Sequence, residues 1–207
     1  FFVDGNCNPL RNSISWMDNR AVKQSEYLTQ KYGNELCYKH TGQVSWGANW
    51  PITKALWVKE NEPESFARTK HITFASGFLT ARLTGNYYVD KYSASSALPM
   101  LNIKTQQWDD EFGDLICPKE MLPIIAESTY SIVGTVTAKA AKETGLAEGI
   151  TVICGTTDAG AEAVSVGVVQ PEDTMLMYGS TAFYIGVTRE RVSGTKMWSN
   201  PYTIDNQ

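Results

Sequence analysis

The segment VICGTTDAGAEAVSVG, residues 152–167, constrains the fold more than any other part of this 207-residue chain. Its β-branched start predicts a buried strand, which stops at Gly155. A helix rich in alanine and glycine then begins near Asp158. A strand that passes through a short turn into a helix is typical of α/β proteins. Such proteins bind ligands at the carboxyl ends of their strands, so Asp158 is a candidate functional carboxylate.

Asp158 also has a purely structural interpretation. Aspartate is a favoured N-cap, because its carboxylate accepts a hydrogen bond from a free amide of the first helical turn. The residues that follow it are small enough for another backbone or a ligand to come close: Ala159, Gly160, Ala161 and Ala163. The segment by itself leaves both interpretations open.

The rest of the chain mixes strand and helix patterns, without repeats or low complexity. We predict a helix capped by Asp18 or Asn19 and ended by Gly33, and further helices at 51–61, 62–70, 76–85, 105–116 and 138–145. We predict strands at 97–103, 131–136 and 150–155, and a hairpin at 174–188. The segment VVQPED, residues 168–173, is the expected boundary between two domains.

The turn of the predicted hairpin is a second candidate site. Gly179, Ser180 and Thr181 join its two apolar strands. Backbone amides and two hydroxyls at a tight turn are able to cradle a phosphate group. An ordinary hairpin without a ligand is the alternative.

Two aromatic segments are further candidates. In SWMDNR, Trp16 alternates with Asp18 and Arg20, so the acid and the base could pair; a helix cap beside a buried aromatic ring is the alternative. The loop before the helix at 51–61 carries Trp46 and Trp50. Aromatic faces suit the apolar face of a sugar ring, although tryptophans in loops also pack against the edge of a core.

Composition argues against several classes of protein. The formal net charge is −4 and no basic cluster occurs, so we expect no nucleic-acid partner. No apolar run approaches the roughly 18 residues of a membrane span, so we expect no membrane partner. The four cysteines show no CxxC spacing, and neither histidine lies in a ligand pattern. We therefore expect no zinc site, and a reducing, cytoplasmic location.

In their order along the chain, these segments resemble the FGGY family of carbohydrate kinases, and its xylulokinases above all. Three segments in the first half carry the resemblance: ISWMDNRA at 14–21 is similar to the family's W-x-D-x-R segment, PITKALW at 51–57 to its K-x-x-W helix, and DKYSASSA at 90–97 to its D-x-S-x-A-S segment. Two segments in the second half add to it. ICGTTDAGAEAVSVGVV at 153–169 is similar to the segment with the family's catalytic Asp, and MLMYGSTAFYIGVT at 175–188 to its phosphate hairpin.

The resemblance implies an α/β, actin-like (ribonuclease H-like) ATPase fold, truncated at both ends. Residues 1–168 would be the C-terminal portion of the sugar-binding domain, and residues 169–207 the start of the nucleotide-binding domain. The implied reaction is ATP-dependent phosphorylation of a sugar or polyol, first of all D-xylulose, with ribulose, gluconate or glycerol as alternatives. A non-catalytic sugar-binding or regulatory protein on the same scaffold is the alternative of another class.

The resemblance also assigns roles to residues, with ATP and Mg²⁺ as cofactors. Asp158 would be the general base that accepts the proton of the sugar hydroxyl. Ala159 stands where family members carry Asn or Gln, and the family's D-x-G-T phosphate and metal segment would precede Phe1, so no metal ligand is expected in the chain. The resemblance makes Asn49, Trp50 and Ala159 the sugar contacts. It makes Gly179, Ser180 and Thr181 the contacts to the nucleotide phosphates. We expect the hairpin at 174–188 either to be poorly ordered or to borrow a sheet edge from a neighbouring chain. A homodimer is a further expectation, beside the small-molecule sugar or polyol.

Overall fold

Short strands and helices alternate along the whole of the computed structural model, which describes residues 1–97, 99–113, 115–179, 182–192 and 197–204. The helices within these ranges are α1 Val22–Thr41, α2 Pro51–Asn61, α3 Pro63–Arg68, α4 Ala75–Thr84, α5 Lys91–Ala94, α6 Ala138–Thr144 and α7 Asp158–Ser165, with single 3-10 turns at Asp110–Phe112 and Lys119–Met121. The strands are β1 Phe2–Val3, β2 His71–Ile72, β3 Tyr88–Val89, β4 Leu101–Asn102, β5 Gln107–Trp108, β6 Ile124–Ile125, β7 Ile132–Thr135, β8 Thr151–Ile153, β9 Thr174–Tyr178 and β10 Ala182–Gly186.

The strands pair two by two in the described residues. Strands β1 and β2, β4 and β5, β7 and β8, and β9 and β10 are antiparallel. Strands β3 and β6 are parallel, with Tyr88 opposite Ile124 and Val89 opposite Ile125. The pairs β3–β6 and β7–β8 matter most for the site, because the loops after β3 and β8 meet near the start of α7.

The larger core lies between α1, α2 and the segment around Phe112. Trp46 is 1 % exposed, and its indole nitrogen donates to the carbonyl of Gly33 at 2.9 Å. Gly33 has a φ of 72°, which interrupts α1, and a second helical stretch continues from it to Thr41. The interruption therefore supplies the free carbonyl that holds the buried indole. The predicted stop at Gly33 is confirmed as a break, and the helix beyond it was not foreseen.

A smaller core joins α7 to the hairpin β9–β10. Ala163, Val168, Met175 and Val187 are buried together there. In the described residues β9 and β10 pair only with each other, so the expectation that the hairpin borrows an edge from a neighbour stays a prediction. The outer face stays exposed, and Tyr178 is 88 % accessible.

The predicted start of α1 was wrong. The helix begins at Val22, and Asp18 does not cap it. The Asp18 carboxylate instead accepts from the backbone amide of Arg20 at 2.9 Å and binds the guanidinium of the same residue. This local pairing occupies the oxygens that an N-cap would offer.

The predicted helix at 105–116 was also wrong, and the strand at 97–103 is only β4. Asn102 Oδ1 accepts from the amides of Lys104 at 3.0 Å and Thr105 at 3.3 Å, and Gln106 has a φ of 54°. These bonds close a tight turn, so β5 folds back on β4. Side-chain turn chemistry at Asn102 therefore prevails over the helix propensity of the residues that follow.

Strand β8 exists, but the prediction that it is buried was wrong. Ile153 is 50 % exposed, and only Cys154, just after the strand, is buried. In the described residues β8 pairs with β7 alone, so its outer face and free edge meet solvent. Across the same described residues, no helix has the length and apolar character required to span a bilayer.

Candidate functional site

The first turn of α7 presents a carboxylate to solvent. Thr157 is the N-cap, and its hydroxyl oxygen accepts from the amide of Gly160 at 3.2 Å. Asp158 is the first helical residue and is exposed, and its Oδ1 accepts from the amide of Ala159 at 2.8 Å. The interpretation of Asp158 as the helix cap was therefore wrong, because its neighbour performs that task.

The loop before this helix is anchored to the adjoining segments. The amide of Cys154 donates to the carbonyl of Ser131 at 3.0 Å, and the amide of Gly155 donates to the carbonyl of Thr129 at 2.8 Å. These two bonds fix the backbone where β8 ends. The next two residues form hydrogen bonds through their side chains: the Thr156 hydroxyl donates to Asp90, and the Thr157 hydroxyl oxygen accepts from the amide of Gly160.

Thr156 binds a buried carboxylate. Its hydroxyl donates to Asp90 Oδ2 at 2.7 Å, and Asp90 Oδ1 accepts from the amide of Ser93 at 3.3 Å. Asp90 is 1 % exposed, and this burial raises its pKa above the usual range for an aspartate. Sequence reasoning gave Asp90 no role; the only signal for it was its place at the head of the D-x-S-x-A-S-like segment.

The small residues after Asp158 allow close packing. A Cβ on Gly160 would lie 2.9 Å from the hydroxyl oxygen of Thr156 and would collide with the methyl group of Thr203. The small residues were expected to admit another backbone or a ligand, and at this position the nearest heavy atoms belong to neither. The groups that approach Gly160 are side chains of the chain itself.

The segment SWMDNR forms the ion pair that was one of its two interpretations. Arg20 Nη2 lies 2.7 Å from Asp18 Oδ2, and the guanidinium lies 4.8 Å from the ring centre of Trp57. Hydrogen bonds from Arg20 lower the pKa of Asp18 to about 2. Trp16 is 73 % exposed, so the alternative of a buried aromatic ring was wrong.

Lys54 holds the backbone beneath Trp16. This lysine is 4 % exposed, and its ammonium donates to the carbonyls of Ser15 at 2.7 Å and Trp16 at 3.3 Å. Burial lowers the pKa of Lys54 below its usual range. Its role in the structure is to fix the backbone from which Trp16 projects.

The aromatic loop contributes one exposed and one half-buried candidate. Asn49 is exposed, whereas Trp50 is half-buried just before α2 and packs edge-to-face on Trp198, with the ring centres 5.2 Å apart. Residues 197–204 contact both this loop and α7. Trp198 lies at one end of that segment, and Thr203, beside Gly160, lies near the other.

The hairpin candidates are described in part. Gly179 is exposed and directly follows β9, whereas Ser180 and Thr181 lie outside the described residues. In the parts of the chain that the structure covers, no three His, Cys, Asp or Glu side chains converge as metal ligands.

The chain is similar to carbohydrate kinases of known sequence and structure. A xylulose kinase of Lactococcus lactis subsp. lactis is 32% identical over 180 residues, which cover 86% of this chain and 35% of that protein. The solved xylulose kinase of Rhodospirillum rubrum superposes with a TM-score of 0.90 at 23% identity, over 99% of this chain and 42% of that one. A solved gluconate kinase of Lactobacillus acidophilus gives 0.83 at 24% identity, over 94% and 39%.

The chain thus spans well under half the length of these relatives. The superpositions confirm the expected fold, the α/β actin-like fold of sugar kinases. Residues 1–165 match the family model described as the N-terminal domain of the FGGY family of carbohydrate kinases. Because that match covers most of its length, the chain belongs to the FGGY family of carbohydrate kinases.

Proposed function

We propose that the full-length protein containing this chain transfers the γ-phosphate of ATP to a hydroxyl of D-xylulose, giving D-xylulose 5-phosphate and ADP. The observation that carries the proposal is the exposed carboxylate of Asp158, which projects from the start of α7 behind an anchored loop. The similarity to a protein named xylulose kinase supports this choice of substrate.

In this reaction Asp158 acts as the general base. Its carboxylate accepts the proton of the reacting hydroxyl while the sugar oxygen forms a bond to the γ-phosphorus. The bond from that phosphorus to the β–γ bridging oxygen breaks, and ADP leaves with the electron pair. A solvent-facing carboxylate on a fixed helix end is suited to this task, because a bound sugar reaches it without displacing a protein group.

The remaining roles follow the same proposal. Asn49 and Trp50 would contact the sugar, with the exposed amide as a hydrogen-bonding group and the indole as an apolar face. Ala159 would leave space beside the base and offer no polar side chain. The nucleotide phosphates would bind at the predicted turn residues Gly179, Ser180 and Thr181, in a nucleotide-binding domain that would begin at residue 169.

ATP brings Mg²⁺, which when bound neutralises charge on the phosphate groups. Such an ion needs only one or two protein carboxylates beside water and the phosphate oxygens, and the described residues hold no larger cluster of metal ligands. The protein's own contribution within this chain is the base and the surface that orients the sugar.

Gluconate is the second candidate substrate. The solved gluconate kinase superposes nearly as well as the solved xylulose kinase, with TM-scores of 0.83 and 0.90. Because Ala159 provides no hydrogen bond to the sugar, that position does not favour a pentulose over a sugar acid. Ribulose and glycerol belong in the same comparison.

The test is a substrate panel with the full-length protein, ATP and Mg²⁺, in which ADP release is measured for D-xylulose, ribulose, gluconate and glycerol. We expect kcat/KM for D-xylulose to exceed the others at least tenfold. A higher kcat/KM for gluconate than for D-xylulose would reject D-xylulose as the substrate but would still support phosphate transfer from ATP to a sugar hydroxyl. No ADP release above the sugar-free rate, together with calorimetric heat on adding sugar, would instead establish a non-catalytic sugar-binding protein.

A further inference from the structure

Asp90 is a buried acid that the proposed phosphate transfer does not use. It lies directly after β3 and is 1 % exposed. Removing a carboxylate from water is costly, and the cost is offset only when hydrogen bonds satisfy the buried oxygens. The residues that bind Asp90 therefore indicate what the acid does.

The two oxygens of Asp90 bind different parts of the chain. Oδ1 accepts from the amide of Ser93 at 3.3 Å, which caps the single turn of α5. Oδ2 accepts from the hydroxyl of Thr156 at 2.7 Å, 66 residues further along the chain. Capping explains the first bond, and an asparagine or serine would serve equally well there. The second bond needs a separate explanation.

Thr156 lies between Asp90 and the first turn of α7. Its hydroxyl donates to the buried carboxylate, a charge-assisted bond strengthened by the low local polarity. The same side chain also lies close to Gly160. A Cβ added to this glycine would be 2.9 Å from the Thr156 hydroxyl oxygen and 3.2 Å from its methyl carbon. Thr156 also directly precedes the N-cap Thr157, so a displacement of its backbone is passed on to the helix end that carries Asp158.

We infer that Asp90 is a positioning residue for the base: by anchoring Thr156 it fixes the place and direction from which Asp158 reaches the sugar. This inference rests on the proposed function of Asp158. A displacement of about 1 Å at a reacting group lowers the rate roughly a hundredfold, whereas binding of a substrate that the base does not hold is unaffected. The predicted signature is a loss in kcat with KM for ATP unchanged.

The test compares Thr156→Val, which keeps the shape and removes the hydroxyl, with Thr156→Ser, which keeps the hydroxyl, in the full-length protein. We expect Thr156→Val to lower kcat at least tenfold with KM for ATP within twofold, and Thr156→Ser to stay within threefold of wild type. Thr69→Val is the matched control, because Thr69 is 5 % exposed and its hydroxyl donates to the carbonyl of Ser65 at 2.9 Å, in α3. Its kcat should stay within twofold.

Hydrogen exchange of the peptide covering residues 155–165 gives a second measurement that does not depend on activity. Its amides should exchange at least fivefold faster in Thr156→Val than in Thr156→Ser. Asp90→Asn, which keeps an acceptor but loses the charge, should fall between them and replaces Thr156→Val if that variant does not fold.

Each outcome separates the two proposals. A wild-type protein that transfers no phosphate rejects the proposed function, and the exchange rates then still decide whether Asp90 anchors the loop. An active wild type whose Thr156→Val and Asp90→Asn variants keep kcat and exchange within twofold overturns the inference alone.

Discussion

The hydroxyl oxygen of Thr157 accepts the amide hydrogen of Gly160 across 3.2 Å, and this cap frees the adjacent acid. Asp158 remains exposed within the first turn of α7, and its carboxylate is not used as the cap. The cap and the proposed base are thus two consecutive residues, so each is open to its own substitution.

Thr157→Ala removes the cap and should destabilise the protein by about 1 kcal/mol, the usual cost of losing a threonine N-cap. Thr157→Ser keeps the accepting oxygen and should cost a few tenths of that amount. Thermal unfolding of the full-length protein measures both variants. Equal melting temperatures for the two would show that the bond to Gly160 contributes nothing to stability.

Asp158→Asn should lower kcat by a factor of about 100 or more, because the amide cannot accept the hydroxyl proton. Its melting temperature should change by no more than about 2 °C, since the side chain is exposed and only the helix-end interaction is lost. Glu162→Gln is the matched control, an exposed acid on the same helix, with kcat expected within twofold of wild type. Activity retained by Asp158→Asn would remove Asp158 from the role of base.

The local signals in the sequence predicted much of this architecture. Proline at the start of α2, glycine after α4 and α6, and Thr137 before α6 each mark a boundary where the structure has one, and the Thr137 hydroxyl accepts from the amide of Ala140 at 3.2 Å. Such signals act within about one turn of helix, so the residues around a helix end are enough to predict where the helix begins or ends.

The errors concern interactions that compete with a local pattern or span a long stretch of chain. Residues 105–116 have helix propensity, but the Asn102 side chain closes a turn first. The bond between Asp90 and Thr156 joins residues 66 positions apart, and no periodicity predicts such a pair. The location of Asp158 was predicted from its pattern, whereas the bond from Thr156 to Asp90 is formed only in the folded chain.

Gly160→Ala should destabilise the protein by about 1–3 kcal/mol. The added methyl group collides with Thr203 and lies 2.9 Å from the Thr156 hydroxyl oxygen, and this overpacking exceeds the gain in helix propensity. Gly5→Ala is the control, because no heavy atom lies within 4 Å of the point that its added methyl group would occupy. Thermal unfolding reports both. A more stable Gly160→Ala variant would mean that Thr203 moves away without cost.

Three of the four cysteine thiols should be unreactive in the folded protein at pH 8. Burial raises the pKa of Cys37 to about 11 and the pKa values of Cys117 and Cys154 to about 12, so almost no thiolate forms at that pH. Iodoacetamide followed by peptide mass spectrometry should label them rapidly only after denaturation. Rapid labelling of Cys154 in the native protein would show that the end of β8 opens readily.

Lys54→Met should destabilise the protein by about 1–3 kcal/mol at pH 7, because the carbonyls of Ser15 and Trp16 lose a buried donor. The pH dependence has a definite sign. The folded state lowers the pKa of Lys54 from 10.5, so the unfolded chain binds its proton more tightly. The stability of the wild type relative to Lys54→Met should therefore rise as the pH increases from 7 towards 10. Urea denaturation at pH 7 and pH 9.5 measures this difference, and Lys23→Met, at an exposed lysine of α1, supplies the control. A stability difference that shrinks at the higher pH would contradict the assignment of Lys54 as a buried, desolvated donor.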